Sequence, residues 1–508
     1  MWHQGYTSEL DYTYGYYNEL SPTRIKLALL ACGIDHSISD NPNYLELGFG
    51  QGLSLNINAA TSSGSFYGTD FNPGQVANAQ VLADSMNKQI TLLEDSFEEL
   101  AARDDLPRFD IIALHGIWSW ISDNARKAIV DIALRHLRPG GALYLSYNVT
   151  PGWSPGIPLR ILMAEYAKRE MAGALVDKIN GSLDFVTQVM DAGAGYFAQN
   201  PVLRQRLDQI KTQDRNYLAH EYYNADWHPM PFSRVADELA QAKLTYAANA
   251  SILENLSGIS LPASALPILQ AIRDPVMRET TRDYFVNTQF RRDIFVKGPR
   301  GLSVYEHGQR VEQTRFVLLG DPEKRPEKVT TVIGEAQLLP EVHAPVVAAL
   351  ARAPNCTASI GELMADKELA SLNRIQLWEV MLILTGAGYV APTASSTTPE
   401  EDFAASRSLN TALLRRAEPG TGVDYLAAPN LGAAIQVARV DQLFIKALSE
   451  GQKDPVEWVL GLLRGQGQFL IVEGKQIEGE DENRTELKRM FAEFEKLRQP
   501  VLQRIGVL

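Results

Sequence analysis

Over the first 150 residues, five short apolar runs alternate with helix-compatible stretches, and this alternation restricts the fold more than any other feature of the chain. Strands separated by helices pair in parallel, because a parallel neighbour needs a crossover of about a dozen residues or more. The spacing predicts strands over 44–47, 65–69, 90–93, 110–115 and 142–147, with helices over 74–86 and 124–137 between them. Pro139-Gly140-Gly141 breaks the last helix before its strand. The expectation is an α/β domain on a mostly parallel sheet.

After Pro151-Gly152-Trp153 the pattern changes, and residues 156–260 are nearly all helix-compatible. Aromatic and β-branched runs return between Phe285 and Val304, and the Gly-Asp-Pro-Glu-Lys-Arg-Pro stretch at 320–326 reads as a solvated turn. Residues 337–392 give an apolar helix (346–351), a short helix (360–365), a longer helix (372–385) and a strand (388–390), the order of a winged-helix unit. Its third helix carries one cation, Arg374, too few to read DNA. Residues 394–402 have linker composition, and 405–508 are mostly helical. The expected division is 1–155, 156–325, 326–395 and 396–508, in keeping with a 508-residue chain.

No apolar run approaches the roughly 18–20 residues of a membrane span, and the start has no basic region followed by an apolar one. Cys32 and Cys356 lack a metal-ligand or redox spacing. A reducing, cytoplasmic setting is expected, with no metal site. A formal charge of -13 repels phosphate backbones, so nucleic acid is not an expected partner.

The strongest chemical signal is Glu46-Leu47-Gly48-Phe49-Gly50-Gln51-Gly52, which follows the first strand and precedes a helix-compatible stretch. Glycines there turn the backbone sharply and let a ligand approach bare main chain. A dinucleotide fingerprint would put its last glycine one residue later, where Leu53 stands, and there is no Walker Lys-Ser/Thr pair. Glu46 disfavours phosphates and suits a ligand with a cationic amine and sulfonium. The plain alternative is a glycine-rich turn. Asp70 ends the second strand about twenty residues on, where a carboxylate accepts both ribose hydroxyls; its alternative is a helix N-cap, although Asn72-Pro73 supplies one nearby. Asp95, beside Ser96 and Phe97, is placed to take an adenine amino group, again with an N-cap as the alternative.

With Asp110-Ile-Ile-Ala-Leu-His115-Gly116 and the Leu137-Arg-Pro-Gly-Gly141 turn, these residues make the first domain resemble a class I S-adenosyl-L-methionine-dependent methyltransferase. The resemblance implies cofactor contacts from Glu46, Gly48, Phe49, Gly50, Gly52, Asp70, Phe71, Asp95, Ser96, Phe97, His115 and Gly116. His115-Gly-Ile-Trp-Ser-Trp120, Ser146-Tyr-Asn-Val-Thr-Pro-Gly-Trp153, Tyr217-Leu-Ala-His-Glu-Tyr222 and Phe290-Arg-Arg-Asp-Ile-Phe295 resemble bacterial methyltransferases that carry a methyltransferase regulatory domain. The best-known of these are rickettsial-type protein lysine methyltransferases. The resemblance implies transfer to protein lysine amines, with the later domains lining the substrate groove.

A lysine amine with a pKa of roughly 10.4 must be desolvated or deprotonated before it can attack. Aromatic residues after strands four and five (His115, Trp118, Trp120, Tyr147, Trp153) are candidates for a cation-selecting wall or for plain packing under a lid. Tyr12, Tyr14, Tyr16 and Tyr17 crowd a segment placed to cover the cofactor, and His220 and Glu221 are candidate polar groups facing the substrate. The catalytic candidates are Tyr14, Trp118, Tyr147, His220 and Tyr222. No Asn/Asp-Pro-Pro-Tyr, Pro-Cys or G-x-S-x-G motif supports DNA amino-methylation, cytosine C5 chemistry or serine hydrolysis. Two rival readings are a small-molecule methyltransferase with the helical domain as lid, and a cofactor-responsive interaction module without turnover.

Overall fold

The computed structural model describes residues 14–508 apart from 87, 225, 395–397, 421 and 473 and the side chain of residue 216. The five expected strands form as Asn43–Leu47 (β1), Ser65–Thr69 (β2), Ile90–Leu93 (β3), Phe109–Leu114 (β4) and Leu137–Asn148 (β5), labels being given to the central sheet alone. Two more, Leu244–Asn249 (β6) and Phe290–Lys297 (β7), complete a seven-stranded sheet in the order β3-β2-β1-β4-β5-β7-β6. β1 to β5 are parallel, and β7 runs antiparallel to both its neighbours. β4 is buried along its whole length, as its unbroken Phe-Asp-Ile-Ile-Ala-Leu run requires in a sheet covered on both faces. Successive strands step outward from β1 on one side and from β4 on the other. The crevice beyond their carboxyl ends is the place where such sheets bind ligands.

The segment read as mostly helical thus supplies two strands to the first sheet. β7 matches the aromatic return near 285–304, whereas β6 was not expected: Leu-Thr-Tyr-Ala-Ala-Asn has little β-branching. Its place is fixed by packing, with the Tyr246 ring 5.2 Å from Phe232 and 5.8 Å from Phe295. The helices of that segment, Gly156–Arg169, Leu175–Asp191, Val202–Thr212 and Arg215–Tyr222, share a core around Leu159, Leu183, Leu207 and Leu218. β5 also begins earlier than predicted. The preceding helix ends at His136, and the strand runs straight through the Pro-Gly-Gly sequence, with Gly140 at a φ of +75° and a register shift against β4.

Helices Pro340–Arg352, Ile360–Met364 and Arg374–Gly386 appear in the expected order, but the middle strand of their small sheet, Arg315–Leu318, comes from before the segment. The third helix is buried from Val380 to Thr385, and Arg374 pairs with Glu312 at 2.8 Å. The last segment adds a hairpin, Tyr425–Ala428 with Ala433–Gln436, to its helices. The linker reading fails at its end, where Glu400–Asp402 opens a helix and Asp402, 2% exposed, binds Lys88 Nζ at 2.6 Å and Ser63 Oγ at 2.9 Å. Residues 395–397 of that stretch lie outside the described ones. A single apolar cluster takes in Ile57 from the first domain and Leu409 and Phe444 from the last segment. No helix among the described residues is long and apolar enough to cross a membrane.

Candidate active site

At the carboxyl ends of β1 and β4 lies a cavity of about 490 Å³. Its floor is the glycine turn. Gly48 and Gly50 adopt φ values of +68° and +57°, and the Gly48 N–H donates to the Thr69 carbonyl at 2.8 Å, tying the turn to β2. A Cβ on Gly48 would meet Ile117 Cδ1 at 2.6 Å, while one on Gly50 would meet nothing within 4 Å, so bare main chain faces open space there. Gly116, after β4, has the same character, with a φ of +66° and nothing within 4 Å. Gly52, by contrast, does not line the cavity. It precedes the helix Leu53–Ala60, where a Cβ would stand 2.4 Å from Ala79 Cβ, so its task is close helix packing.

Asp70 faces this floor. Its carboxylate accepts the Gly50 N–H at 2.9 Å and the Asn72 N–H at 3.0 Å, and the Gln75 amide, turned to satisfy itself, donates to both oxygens at 2.8 and 2.9 Å. Burial outweighs the two backbone donors and pushes the acid up to about 6. The N-cap alternative for Asp70 falls away, because Asn72 caps the helix Pro73–Asp84. Likewise Ser96, not Asp95, caps Phe97–Ala102 through a capping box with Glu99. Asp95 lines the cavity and pairs with Arg103 at 3.0 Å. Glu46, 4% exposed, accepts the Tyr44 hydroxyl at 3.3 Å, and burial pushes it up to about 8. Phe49, Phe71, Ser96 and Phe97 line the same space.

His115 Nδ1 lies 2.8 Å from the Tyr144 hydroxyl, and its ring stacks on Tyr17 with centroids 3.7 Å apart. Burial, helped by the nearby Arg292 charge, drives its pKa down to about 3, so the imidazole is neutral and a poor base. Tyr17 and Gly15 therefore form the cover over this end. Tyr14 does not: it is exposed and donates to Asn78 Oδ1 at 2.8 Å. Tyr12 is outside the described residues.

The opposite wall comes from the helix Arg215–Tyr222 and the chain after it. Tyr217, His220, Glu221 and Asn224 all line the cavity, at i, i+3, i+4 and i+7 spacing on one face, while Leu218 and Ala219 turn into the helical core. Burial pushes Glu221 up to about 7 and Tyr217 to about 12. Trp120, Trp153, Asn148, Asp226, Gln289 and Phe290 complete the wall.

Besides Tyr14, three catalytic candidates lie elsewhere. Trp118 is fully buried in the core beneath the cavity, and Trp120 takes the place expected for it. The Tyr147 hydroxyl donates to Asp293 Oδ2 at 2.6 Å inside the sheet, because strand alternation sends Tyr147 to one face and Asn148 to the other. Tyr222 packs edge-on to Trp153 within the helical core. Of the five candidates, His220 alone lines the cavity. Gln75, Asn224, Asp226 and Gln289 went unnoticed in the sequence. The polar spacing 217, 220, 221, 224 was a usable signal, whereas Gln75 and Gln289 carry none.

A parallel sheet reversed by one antiparallel strand, a glycine turn against bare main chain and an acid twenty residues on define a class I methyltransferase. Residues 45–141 match the model of a methyltransferase domain, and residues 214–297 match that of a predicted methyltransferase regulatory domain. The uncharacterized protein sll1526 of Synechocystis is 37% identical over 509 residues, covering 100% of this chain and 99% of that one. The uncharacterized protein RP789 of Rickettsia prowazekii is 25% identical over 62% of this chain and 57% of its own. PKMT2 from Rickettsia typhi, solved in complex with AdoHcy, shares the fold with a TM-score of 0.68 over 98% of this chain and 99% of that one, at 18% identity. The chain belongs to the family of sll1526, as a methyltransferase with a regulatory domain. Its methyl donor is S-adenosyl-L-methionine. The open cradle at Gly50 and Gly116 and the Asp70 carboxylate fit that donor.

Proposed function

We propose that the enzyme methylates the side-chain amine of lysine in a protein. One observation carries this reading. Among the described residues lining the cavity are six acidic side chains (Glu46, Asp70, Asp95, Glu98, Glu221 and Asp226), of which burial keeps Glu46 mostly protonated at neutral pH, and no lysine or arginine. Such a site attracts cations and disfavours anionic acceptors. Trp120 and Tyr217 line the same cavity and supply aromatic surface suited to an alkylammonium shedding its water, whereas the Phe290 ring already has the Arg292 guanidinium 5.1 Å from its centroid. One Trp153 face is already taken by the Arg206 guanidinium, 3.8 Å from the ring centroid. The name of the R. typhi fold relative, PKMT2, points the same way.

In this reading Gly50 and Gly116 leave room for the donor, Gly48 lets the turn pack against Ile117, Asp70 takes the ribose hydroxyls in place of the Gln75 amide, and Glu46 faces the donor's cationic end. The donor supplies an electrophilic methyl carbon; as the amine lone pair bonds to it the C–S bond breaks, its electrons staying on sulfur. The protein's share is alignment and exclusion of water. Incubation with tritium-labelled donor and a bacterial lysate tests the acceptor. Label is expected in protein bands, released as methyl-lysine on acid hydrolysis. Label confined to the low-mass fraction would establish the small-molecule rival, and none at all the non-catalytic one.

A further inference from the structure

A lysine acceptor arrives as an ammonium ion, which has no lone pair to donate, so something in the acceptor wall has to hold the cation and then relieve it of a proton. The other carboxylates lining the cavity are placed for other work. Asp70 is held by the Gly50 and Asn72 N–H groups, Glu46 sits at the donor end under the Tyr44 hydroxyl, and Asp95 pairs with Arg103. Asp226 lies 3.1 Å from His228 Nε2, and Glu98 is exposed on the first turn of its helix. Glu221 differs from all of them: it is half-buried in the acceptor wall and makes no hydrogen bond or ion pair with any described residue. A carboxylate kept from water without a partner gains most from a cation brought to it.

We propose that Glu221 pairs with the acceptor ammonium and takes one of its protons, which rests on the amine reading above. The N–H bond breaks, an O–H bond forms on Glu221, and the electron pair stays on nitrogen as the nucleophile. The methylated product carries the positive charge away, and Glu221 releases its proton to water, one per methyl transferred. His115 cannot share this task, being neutral to about pH 3 with Nδ1 against Tyr144. An imidazole at His220 lacks the negative charge that draws the ammonium in. Ionisable groups on this side of the cavity are Tyr217, His220 and Tyr222 on the same helix as Glu221, Arg206 stacked on Trp153, and Asp226, while Tyr17 and His115 line the cavity from the first domain. Tyr217 and Tyr222 are both raised by burial and stay uncharged at neutral pH.

The test uses the whole enzyme with n-butylamine as acceptor. In the native enzyme kcat/KM should rise with pH through about 7, where Glu221 ionises, then level off, and fall once the amine loses its own proton. Glu221→Gln should lower kcat about 100-fold and erase the inflection at about 7, while Glu221→Asp should restore it in part. As a readout apart from turnover, n-butylammonium binding to enzyme saturated with S-adenosylhomocysteine should weaken at least about tenfold in Glu221→Gln. Unchanged affinity for S-adenosylhomocysteine in all three proteins establishes that the fold and donor site survive. A Gln variant that keeps the native pH profile and binds n-butylammonium equally well overturns the Glu221 proposal and leaves the amine reading standing. A native enzyme that methylates neither n-butylamine nor any protein overturns the amine reading itself.

Discussion

Asp70 binds two backbone N–H groups and still titrates near 6, because what it gains from them is less than what it loses by leaving water. A carboxylate raised in the folded state above its unfolded value of about 3.9 favours folding least where it is ionised. Its contribution therefore falls as pH climbs from about 4 to about 6 and stays low above that. Asp70→Asn removes the buried charge and one hydroxyl acceptor together. The variant should melt at or above the native temperature at pH 7.5 while binding S-adenosylmethionine about 10- to 100-fold more weakly by calorimetry. Lower melting with unchanged affinity would remove Asp70 from the donor site. Asp70 and Gly50 were legible in the sequence, because a turn with positive φ and an acid at the next strand end are local features. Trp118 and Tyr147 were misplaced for a related reason: alternation along a strand or turn decides which of two neighbours faces a ligand, and sequence does not say which face is which.

At the level of elements, β7 does more than close the sheet. Arg291, 2% exposed, binds Asp293 on the same strand and Asp283 and Glu279 on the helix Pro275–Val286, at 2.8, 2.8 and 2.9 Å, and its guanidinium lies 4.4 Å from the Phe232 ring centroid. With the Tyr147 hydroxyl on Asp293, the cluster fastens β5, β7 and that helix together. Arg291→Met leaves the buried carboxylates of Asp283 and Asp293 and the partly buried one of Glu279 without their cation and should cost about 3–5 kcal/mol in urea unfolding. A loss under about 1 kcal/mol would show that the cluster is already solvated. Nothing local announced this grouping. Arg291 and Asp293 share a strand face at i, i+2, but their partners come from a helix eight residues or more upstream, and strand β6, which completes the edge, is too alanine-rich to be read as a strand.

For the whole molecule, the apparent linker made the last hundred residues look detachable, and the packing shows otherwise. Lys88 with Asp402, the Ser406 hydroxyl on the Ala60 carbonyl at 3.0 Å and the Ala434 N–H on Tyr16 Oη at 2.8 Å bind the last segment to the back of the first domain, over a shared apolar cluster. Calorimetry should accordingly give one main unfolding transition in place of two separable ones. A chain ending at residue 394 should be insoluble or unfolded, since it would bare the helix Leu53–Ala60, every residue of which is buried. Two well-resolved transitions, or a soluble truncated enzyme, would count against this account. Composition reads as a linker up to Asp402 and could not show that Asp402 is buried, because its partner Lys88 lies more than 300 residues away.

The glycine floor of the cavity and Asp70 are encoded between residues 46 and 116, whereas much of the surface opposite them is encoded between 217 and 290. Substitutions confined to the second stretch can therefore reshape one side of the cavity while leaving the residues of the first in place.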